Sequence, residues 1–460
     1  MAAASIADLL PGTKIIAICG RADDAHAWRD LLGPGRCLAV ALDDAPREAL
    51  FRGATDQLAW QHGTIAGLDG SGWLAPAADT FDPDNTAALV LPDPLDPPHA
   101  GTRRRLGRRP PAWRLFEDKT IVDALWDALG APRARSIVAD ATADLGRLGA
   151  LVDRGAGVVC SCQPIGAGPA AGGDGIWWWR HGQSPPTIPV EGGRCRVRLM
   201  PFLEGTPVRL HGFVLGRQVV AFPPMETVTL LRRDRGTFLC TGAVASLGHR
   251  GDLVSRTTRI GAGLRDRLGY RGGFSVDGIV TADGFLPTDF NARLTSAMEA
   301  APSELRVQLH AANLLARDGA EPDVANVDHL ADQVFADSGR FTLFGAATSA
   351  PTGGSRATAV RWAGRRLVVA DGEPVDGRLA LTRSARGWLL TATLASARLL
   401  PGGPVSRLAP EVFRLSDRVL GTDFGDLAPP PGADGASPPF GCGDAEQVQA
   451  VAQDPCGQVA

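Results

Sequence analysis

The chain has 460 residues, with 50 acidic and 47 Lys or Arg side chains, a formal net charge of −3 and a pI near 6.3. Because this balance leaves no basic surface for phosphate backbones or anionic lipids, we expect no nucleic-acid and no membrane partner. No apolar run reaches the length of a spanning helix, and residues 1–10 lack the regions of a signal peptide. Eight cysteines without framework spacing favour a reduced cytoplasm, and we interpret the close pair Cys160 and Cys162 as strand residues rather than zinc ligands.

The N-terminal segment predicts an α/β domain. Residues 14–19, 24–32 and 37–42 have the patterns of strand, helix and strand. The first turn, Cys19-Gly20-Arg21-Ala22, is not a dinucleotide fingerprint. A Pro- and Arg-rich stretch that ends at residue 111 indicates a linker, so the first domain is predicted to span 1–112.

A glycine-rich loop follows the next predicted elements. Helix, strand, helix and strand are expected at 120–130, 136–139, 143–153 and 157–162, before the loop at 163–175. Such a hairpin loop can place backbone N–H groups over phosphate, but no Gly-Lys-Ser/Thr closes it as in a Walker A motif. An ordinary linker is the alternative interpretation.

The following segment predicts strands that surround a crossing between domains at 200–203. Arg209 and His211 lie two residues apart, on one strand face. His211 is either a satisfied structural residue or a ligand contact. Glu226 either meets a ribose hydroxyl or is solvated. The predicted strands are 196–199, 208–214 and 218–222.

The two lysines are informative because arginine otherwise carries the positive charge. Of the 47 Lys and Arg residues, only Lys14 and Lys119 are lysines. Lys14 opens an apolar strand and is interpreted as a strand-start charge. Lys119 precedes a predicted helix, where a compact ammonium suits a phosphate. A helix-start salt bridge with Glu117 or Asp118 is the alternative.

Two acids face each other across a predicted hairpin. Residues 274–281 and 285–293 alternate as strands, joined by a three-residue loop that ends at Gly284 in the left-handed conformation. This register places Asp277 directly opposite Asp289. Like charges about 5 Å apart repel unless something neutralises them.

A hard cation would neutralise this acidic pair. Alternation puts Asp289, Asn291 and Arg293 on one face, across from Asp277. Mg²⁺ is held by one or two carboxylates together with substrate phosphates, so the hairpin predicts a magnesium site. A solvated hairpin with ordinary surface charges is the alternative.

The C-terminal portion predicts a helical segment around 303–335 and then a small antiparallel module. Its role stays open between capping the active site, forming a homodimer contact and binding an acceptor. The stretch after residue 424 is rich in Pro and Gly, which indicates a flexible tail. The predicted strands are 358–362, 366–370, 378–382 and 387–395.

Residues 115–300 resemble the ATP-grasp superfamily of carboxylate–amine ligases. In that family's order there is a lysine before a small subdomain, a glycine-rich flap loop, a hinge before a strand, and an acid followed by acid-x-Asn-x-Arg. Here these are Glu117-Asp118-Lys119, 163–175, 200–205, Asp277 and 289–293. The stretch 205–212 is similar to a branch of peptide ligases from actinobacterial natural-product pathways, which also carries a β-rich tail domain.

The resemblance implies an α/β and α+β fold class. An N-terminal pre-ATP-grasp domain precedes a two-subdomain ATP-grasp fold, and a small β-rich module and a flexible tail follow. The expected spans are 1–112, 113–335 with a flap subdomain at about 120–203, 336–425 and 426–460.

As the resemblance implies, ATP binds between the two subdomains with Mg²⁺, a small-molecule carboxylate becomes an acylphosphate, and an amine (an amino acid or peptide) receives it. Arg293 and Lys119 would then be catalytic, and Asp277, Asp289 and Asn291 would bind the metal. The residues expected to contact the nucleotide are Lys119, Gln163, Gly172, Gly173, Gly175, Met200, Phe202, Leu203, His211 and Glu226.

Two departures from the family pattern leave alternatives open. The family usually has a second lysine on the strand that enters the glycine-rich loop, and this chain has none there. Gln163, at the end of that strand, can donate a hydrogen bond to phosphate but cannot neutralise charge. Either an arginine supplies that charge or the loop N–H groups suffice. Both metal-site acids are Asp where Glu is common. A nucleotide-binding protein that has lost catalysis, or a kinase that stops at phosphorylation, therefore remains an alternative to a ligase.

Overall fold

The computed structural model describes residues 10, 12–41, 74–91, 93, 103–164, 175–188, 195–245, 251–295, 301–335, 339–347, 356–384, 387–395 and 404–433. Within these ranges the strands form separate N-terminal, central and C-terminal sheets. None of the helices in the described ranges is long and apolar enough to cross a membrane.

The N-terminal domain is a small parallel sheet with flanking helices. Its elements are β1 (Ile15–Cys19), α1 (Ala22–Leu32), β2 (Cys37–Ala41), α2 (Ala75–Phe81) and β3 (Ala88–Val90). The strand order is β2-β1-β3, and both pairings are parallel. Every residue of β1 is buried, as expected for a parallel strand covered on both faces. The predicted opening of strand, helix and strand is confirmed.

The central sheet joins a small outer half to the predicted acidic hairpin. Its helices are α3 (Pro111–Arg114), α4 (Val122–Leu129), α5 (Leu145–Ala150), α6 (Gly251–Leu268), α7 (Ser303–Arg317) and α8 (Val324–Phe335). Its strands are β4 (Ile137–Asp140), β5 (Val158–Pro164), β6 (Ile176–Trp179), β7 (Cys195–Pro201), β8 (Thr206–Leu215), β9 (Gln218–Ala221), β10 (Met225–Arg232), β11 (Thr237–Val244), β12 (Gly272–Thr281) and β13 (Gly284–Asn291).

The strand order of this sheet is β13-β12-β8-β10-β11-β6-β5-β7-β4, and β9 pairs with β8. The outer strands β4 to β7 pack with α5 around their own apolar cluster, while α6 packs on β8 and β12 around another. Helix α7 contacts both α1 and β12, so it joins the N-terminal domain to the hairpin. The sheet therefore has two halves with separate cores, next to the N-terminal domain.

The C-terminal module is an antiparallel sheet with the order β14-β18-β17-β15-β16, and its predicted strands are confirmed. The prediction of a flexible tail from residue 426 is wrong for residues 427–433, because β19 pairs with β10 and Ala433 is fully buried. The elements are β14 (Arg340–Ala347), β15 (Arg356–Ala363), β16 (Arg366–Val369), β17 (Gly377–Ser384), β18 (Gly387–Ala395), α9 (Ala409–Leu420) and β19 (Leu427–Ala428).

A disulfide joins Cys162 on β5 to Cys195 on β7. These strands are neighbours in the outer half of the central sheet, where Cys162 pairs with Val197 and Pro164 pairs with Cys195. The sequence expectation that all cysteines stay reduced is therefore corrected. Spacing along the chain could not reveal the pair, because strand pairing brings together residues 33 positions apart.

Candidate active site

The acidic hairpin has the predicted pairing of its two acids, but its loop and one of its strands differ from the prediction. Asp277 of β12 pairs with Asp289 of β13, which confirms the prediction. The loop is one residue shorter than expected, because Thr281 already pairs with Gly284. A bulge between the pairs of Asp277 and Gly278 restores the register. Gly284 has a φ of 108°, a conformation that glycine adopts readily.

Each acid of the hairpin has its own cationic partner. Arg209 of β8 donates to both carboxylate oxygens of Asp277, at 2.5 Å from Nε and 3.0 Å from Nη2. Lys119 forms an ion pair with Asp289, 170 positions along the chain, so a salt bridge with Glu117 or Asp118 is not its contact. The side chains of Lys119 and Asp289 are 13% and 19% exposed, so this pair lies at a partly buried surface.

The charge of Arg209 determines the ionisation of Asp277. Burial opposes the charged form, but the guanidinium and its hydrogen bonds outweigh burial and hold the pKa of Asp277 below its usual range. The Asn291 amide also donates to Asp277, at 3.4 Å from Nδ2 to Oδ2. Asp277 is therefore an ionised acid at neutral pH, with partners on two strands.

Glu117 holds Arg293 in place, and the sequence did not suggest this role. Its Oε1 accepts hydrogen bonds from Arg109 Nη1 at 2.9 Å, from the Ala292 N–H at 3.0 Å and from Arg293 Nη1. The Glu117 side chain is 6% exposed. A buried acid therefore orients the arginine that was predicted to be catalytic.

Arg198 is a second cation that sequence reasoning missed. It is 2% exposed on β7, whose other buried residues are apolar, and its Nε and Nη2 donate to Asp123 at 2.9 and 2.5 Å. Its Nη1 donates to the Thr288 carbonyl at 2.8 Å. The side chain thus links the outer half of the sheet to the hairpin. The position of this arginine between Val197 and Leu199 in a predicted strand is the sequence signal that could have indicated its burial.

One cavity of about 840 Å³ is lined by the hairpin acids and by the cations Lys119, Arg198 and Arg209. Its wall includes the predicted hinge residues Met200, Phe202 and Leu203. It also includes Phe344 and Leu389, so the C-terminal module contributes to the wall. The predicted catalytic and metal residues in the wall are Lys119, Asp277, Asp289, Asn291 and Arg293.

The hinge approaches the hairpin closely. Phe202 stacks on Trp178 of β6, with ring centroids 4.4 Å apart. Gly205 follows, and a Cβ there would lie 2.2 Å from the Val280 carbonyl oxygen, so only glycine fits without a shift. These contacts bring the end of β7 and the end of β12 together at the cavity wall.

Two predicted nucleotide contacts lie elsewhere. Glu226 is fully buried and accepts hydrogen bonds from the Val405 N–H at 2.7 Å and the Ser406 N–H at 2.9 Å, so it anchors the C-terminal module rather than a ribose. His211 is also fully buried, with Nε2 2.8 Å from Thr295 Oγ1. Burial, with help from Arg209, lowers its pKa to about 3. Neither side chain belongs to the described wall of the cavity.

The glycine-rich loop is only partly described. Gly172 and Gly173 lie outside the described residues, as does the side chain of Gln163, so their predicted roles stay predictions. Gly175 has a φ of 72°, and its carbonyl accepts from the Cys162 N–H at 2.8 Å. It begins the return of the chain into β6.

The hairpin oxygens suit Mg²⁺ held jointly with phosphate. Carboxylate and amide oxygens are the ligands that Mg²⁺ prefers, and Asp277, Asp289 and Asn291 supply them. The charges of Arg209 and Lys119 already balance the two acids. No group of three or more His, Cys, Asp or Glu side chains suited to a metal occurs among the described residues. A divalent cation alone would add excess positive charge to this balanced site. Anionic phosphates that arrive with the cation would offset that charge.

Neither a protein-family model nor a curated protein matches the sequence. Among solved structures, N5-carboxyaminoimidazole synthase from Aspergillus clavatus, in complex with ADP and 5-aminoimidazole ribonucleotide, is similar over 88% of this chain and 99% of that chain, with 11% identity and a TM-score of 0.51. Phosphoribosylamine–glycine ligase from Thermotoga maritima is similar over 83% of this chain and 92% of that chain, with 16% identity and a TM-score of 0.48.

At this identity the similarity concerns the fold. The chain has the mixed α/β ATP-grasp fold, as the sequence resemblance predicted. The finer similarity to a peptide-ligase branch stays a prediction.

Proposed function

We propose that the protein uses ATP to convert a carboxylate into an acylphosphate and joins that acyl group to an amine, forming an amide or peptide bond. The observation that carries this proposal is the convergence of Lys119, Asp289, Asn291 and Arg293 on one cavity next to the hinge. These residues come from separate parts of an ATP-grasp fold, and each supplies a charge or an oxygen that phosphoryl transfer needs.

The charges support phosphoryl transfer to a carboxylate. A carboxylate that attacks a γ-phosphate brings two anions together, so positive charge must meet the transferring group. Lys119 would contact the phosphates, and Arg293, oriented by the buried Glu117, would hold the substrate carboxylate or the transferring group. Mg²⁺ would be held by Asp277, Asp289 and Asn291, where it neutralises the β- and γ-phosphates.

Nucleotide binding would exchange ion pairs at the hairpin. Lys119 now pairs with Asp289, and a phosphate is a competing partner for the ammonium. Asp289 would then turn to the metal, so the site keeps its charge balance throughout. Met200, Phe202 and Leu203 would offer apolar contacts to the base of the nucleotide.

A nucleotide-binding protein without catalysis is the second candidate. Arg209 already neutralises Asp277 through both carboxylate oxygens, and the strand that enters the glycine-rich loop carries no lysine. Both features would weaken metal binding and charge neutralisation. They favour binding over turnover, whereas the converging Lys119 and Arg293 favour turnover.

One assay separates these functions. The purified protein is incubated with ATP, Mg²⁺ and each proteinogenic amino acid, supplied as both acid and amine, with and without hydroxylamine. Mass spectrometry then measures ADP, hydroxamate and condensed product. We expect hydroxamate with hydroxylamine and a peptide without it. A phosphorylated acid without any condensed product would indicate a kinase. ATP binding without ADP release from any acid would favour the binding protein.

A further inference from the structure

The C-terminal module carries positive charge that the proposed phosphate chemistry does not use. Residues 340–395 contain eight arginines and three acids, which gives this segment a net charge of +5 in a chain whose net charge is −3. The three acids lie within 371–376, in the turn between β16 and β17. The five strands of the sheet therefore contain arginines but no acidic residue.

Three of these arginines lie on the outer face of the sheet, away from the apolar core of the module. Their apolar neighbours within each strand are buried in that core, so alternation turns Arg361, Arg366 and Arg378 to the opposite face. Arg366 and Arg378 are exposed, and Arg361 is half-buried. None of the three forms an ion pair or a side-chain hydrogen bond within the described part of the chain.

The three arginines follow a regular diagonal across the sheet. Arg378 of β17 pairs with Ala359 of β15, and Arg361 lies two residues beyond Ala359. Arg361 in turn pairs with Val368 of β16, and Arg366 lies two residues from Val368 in the same direction across the sheet. Diagonal neighbours of this kind are about 7–8 Å apart. We call Arg378, Arg361 and Arg366 the arginine diagonal.

The arginine diagonal begins next to the wall of the cavity. Phe344 of β14 and Leu389 of β18 line that wall. Phe344 pairs with Thr391, and Thr391 pairs with Ala380 of β17. Arg378 lies two residues from Ala380, so it is the diagonal neighbour of Thr391. The same outer face therefore runs from the cavity wall to the first arginine and then to the other two.

The central sheet meets this face at the cavity. Gly242 of β11 lines the cavity, and a Cβ there would lie 2.9 Å from the Thr342 carbonyl oxygen of β14. Such close approach leaves no gap between the two strands. The cavity wall thus passes from β11 onto the outer face of the C-terminal sheet.

We propose that the amine substrate is an acidic peptide that lies extended along this outer face, with its amine in the cavity and its acidic side chains on the arginine diagonal. The inference rests on the proposed ligase function and specifies the amine substrate. In the ligation the amine nitrogen bonds to the acyl carbon, and the phosphate leaves with the bonding electrons. The proton that the nitrogen loses passes to solvent.

The spacing and chemistry of the arginine diagonal suit such a peptide. Side chains on one face of an extended peptide are about 7 Å apart, close to the spacing of the arginines. An acid at every second position would therefore meet one arginine each. A guanidinium can donate two parallel hydrogen bonds to a carboxylate, which makes arginine a suitable partner for these acids.

A short peptide fits this surface better than a nucleic acid. The proposed reaction consumes an amine, which a peptide carries at its N-terminus, and the face leads directly into the cavity where that amine would react. The chain as a whole has a net charge of −3, which repels a long polyanion. A short acidic peptide contacts only the cationic module.

Binding of two labelled peptides tests this surface without turnover. One has a free N-terminus, glutamate at every second position with alanine between, and a C-terminal fluorophore; the other has glutamine for glutamate. Fluorescence anisotropy with the full-length protein should show about 30-fold tighter binding of the glutamate peptide, about threefold for each arginine. The combined variant Arg361→Gln, Arg366→Gln and Arg378→Gln should lose this preference. Arg259→Gln, an exposed arginine of α6, should retain it.

The single variants guard against a folding defect, because each should lose about threefold in affinity with an unchanged melting temperature. Equal affinity of the wild type for both peptides, or an unchanged preference in the combined variant, would overturn the docking surface. An oligothymidylate that binds more tightly than the glutamate peptide, and loses its affinity in the combined variant, would assign the surface to nucleic acid and overturn the peptide.

Photo-crosslinking tests the position of the amine. A glutamate peptide with a benzophenone at its N-terminus should label the cavity wall at Phe344, Leu389 or Cys240, as located by mass spectrometry. Labels found only outside the cavity would overturn the proposed orientation. A wild-type protein that binds and labels as expected but forms no hydroxamate with any amino acid would refute the ligase function alone, so the two failures are distinguishable.

Discussion

Replacing Glu117 should disable the site through Arg293, which this buried acid orients. Its Oε1 accepts hydrogen bonds from two guanidinium groups and from the Ala292 N–H. Arg109 has a second acid, Asp93, at 3.6 Å, so it keeps a partner when Glu117 is removed. Arg293 depends more strongly on Glu117, because no other salt bridge of Arg293 occurs among the described residues.

The size of the effect follows from the burial of Glu117. Glu117→Ala leaves the largely buried guanidinium of Arg293 without its acid, which costs about 3–5 kcal/mol of stability. Glu117→Gln keeps the acceptor oxygen and loses only the charge, at about 1 kcal/mol for each of two charged hydrogen bonds. A misplacement of about 1 Å in a catalytic group costs about 100-fold in rate. We therefore expect about 100-fold slower turnover in Glu117→Ala and about tenfold in Glu117→Gln.

The assay measures kcat for ADP release together with thermal melting of each variant. Glu411→Gln is the matched control, because Glu411 pairs with Arg414 on α9, where the Arg414 side chain is half exposed. Such a surface pair contributes at most about 1 kcal/mol, so this variant should behave as wild type. Wild-type kcat and melting in Glu117→Ala would refute the reasoning.

The other predictions concern the hairpin, a buried histidine and the disulfide. Asp289→Ala and Lys119→Met should each slow ligation about 100-fold with unchanged circular dichroism. Full activity of either variant would refute the assignment of these residues to phosphate binding. Chelation of Mg²⁺ with EDTA should abolish ADP release, and ADP release in the presence of EDTA would refute the metal requirement. Burial lowers the pKa of His211 in the folded protein to about 3, below the ordinary histidine value of 6.5. Between these values the unfolded chain binds one more proton than the folded protein. Stability therefore falls as the pH is lowered through this window, by up to about 1.4 kcal/mol per pH unit. His211→Asn should flatten that slope in denaturant titrations from neutral to acid pH, and an unchanged slope would contradict the buried, neutral state. The disulfide closes a loop of 33 residues, so reduction should destabilise the protein by about 4 kcal/mol. A reductant should lower the melting temperature of the wild type but not that of Cys162→Ser, and equal shifts in both would contradict this.

Local pattern was sufficient where the interacting residues are close in the chain. The alternation of 274–281 and 285–293 predicted that Asp277 faces Asp289, and the structure has this pair. The bulge escaped prediction, because a shorter loop and an inserted residue give the same pairing as a longer loop. The strand, helix and strand of the N-terminal domain were also predicted correctly, because the spacing of apolar residues within each short segment indicates its secondary structure.

The tertiary structure decided which charge meets which. Arg209 and Asp277 are 68 positions apart, and Glu117 and Arg293 are 176 apart. Which acid an arginine pairs with depends on the order of strands in the sheet, and that order is set by the burial of many apolar side chains over long separations. Glu226 shows the same limit, because only the docking of the C-terminal module buries it beside Val405 and Ser406.

The chain by itself therefore determined the acidic pair, the asparagine and the arginine that follow it, and the special position of Lys119. Folding alone placed Lys119 on Asp289 and formed a cavity shared by the N-terminal, central and C-terminal sheets. The alternation of a strand involves only a few neighbouring residues and can be read from the sequence. A cavity forms only where surfaces from distant parts of the chain pack together.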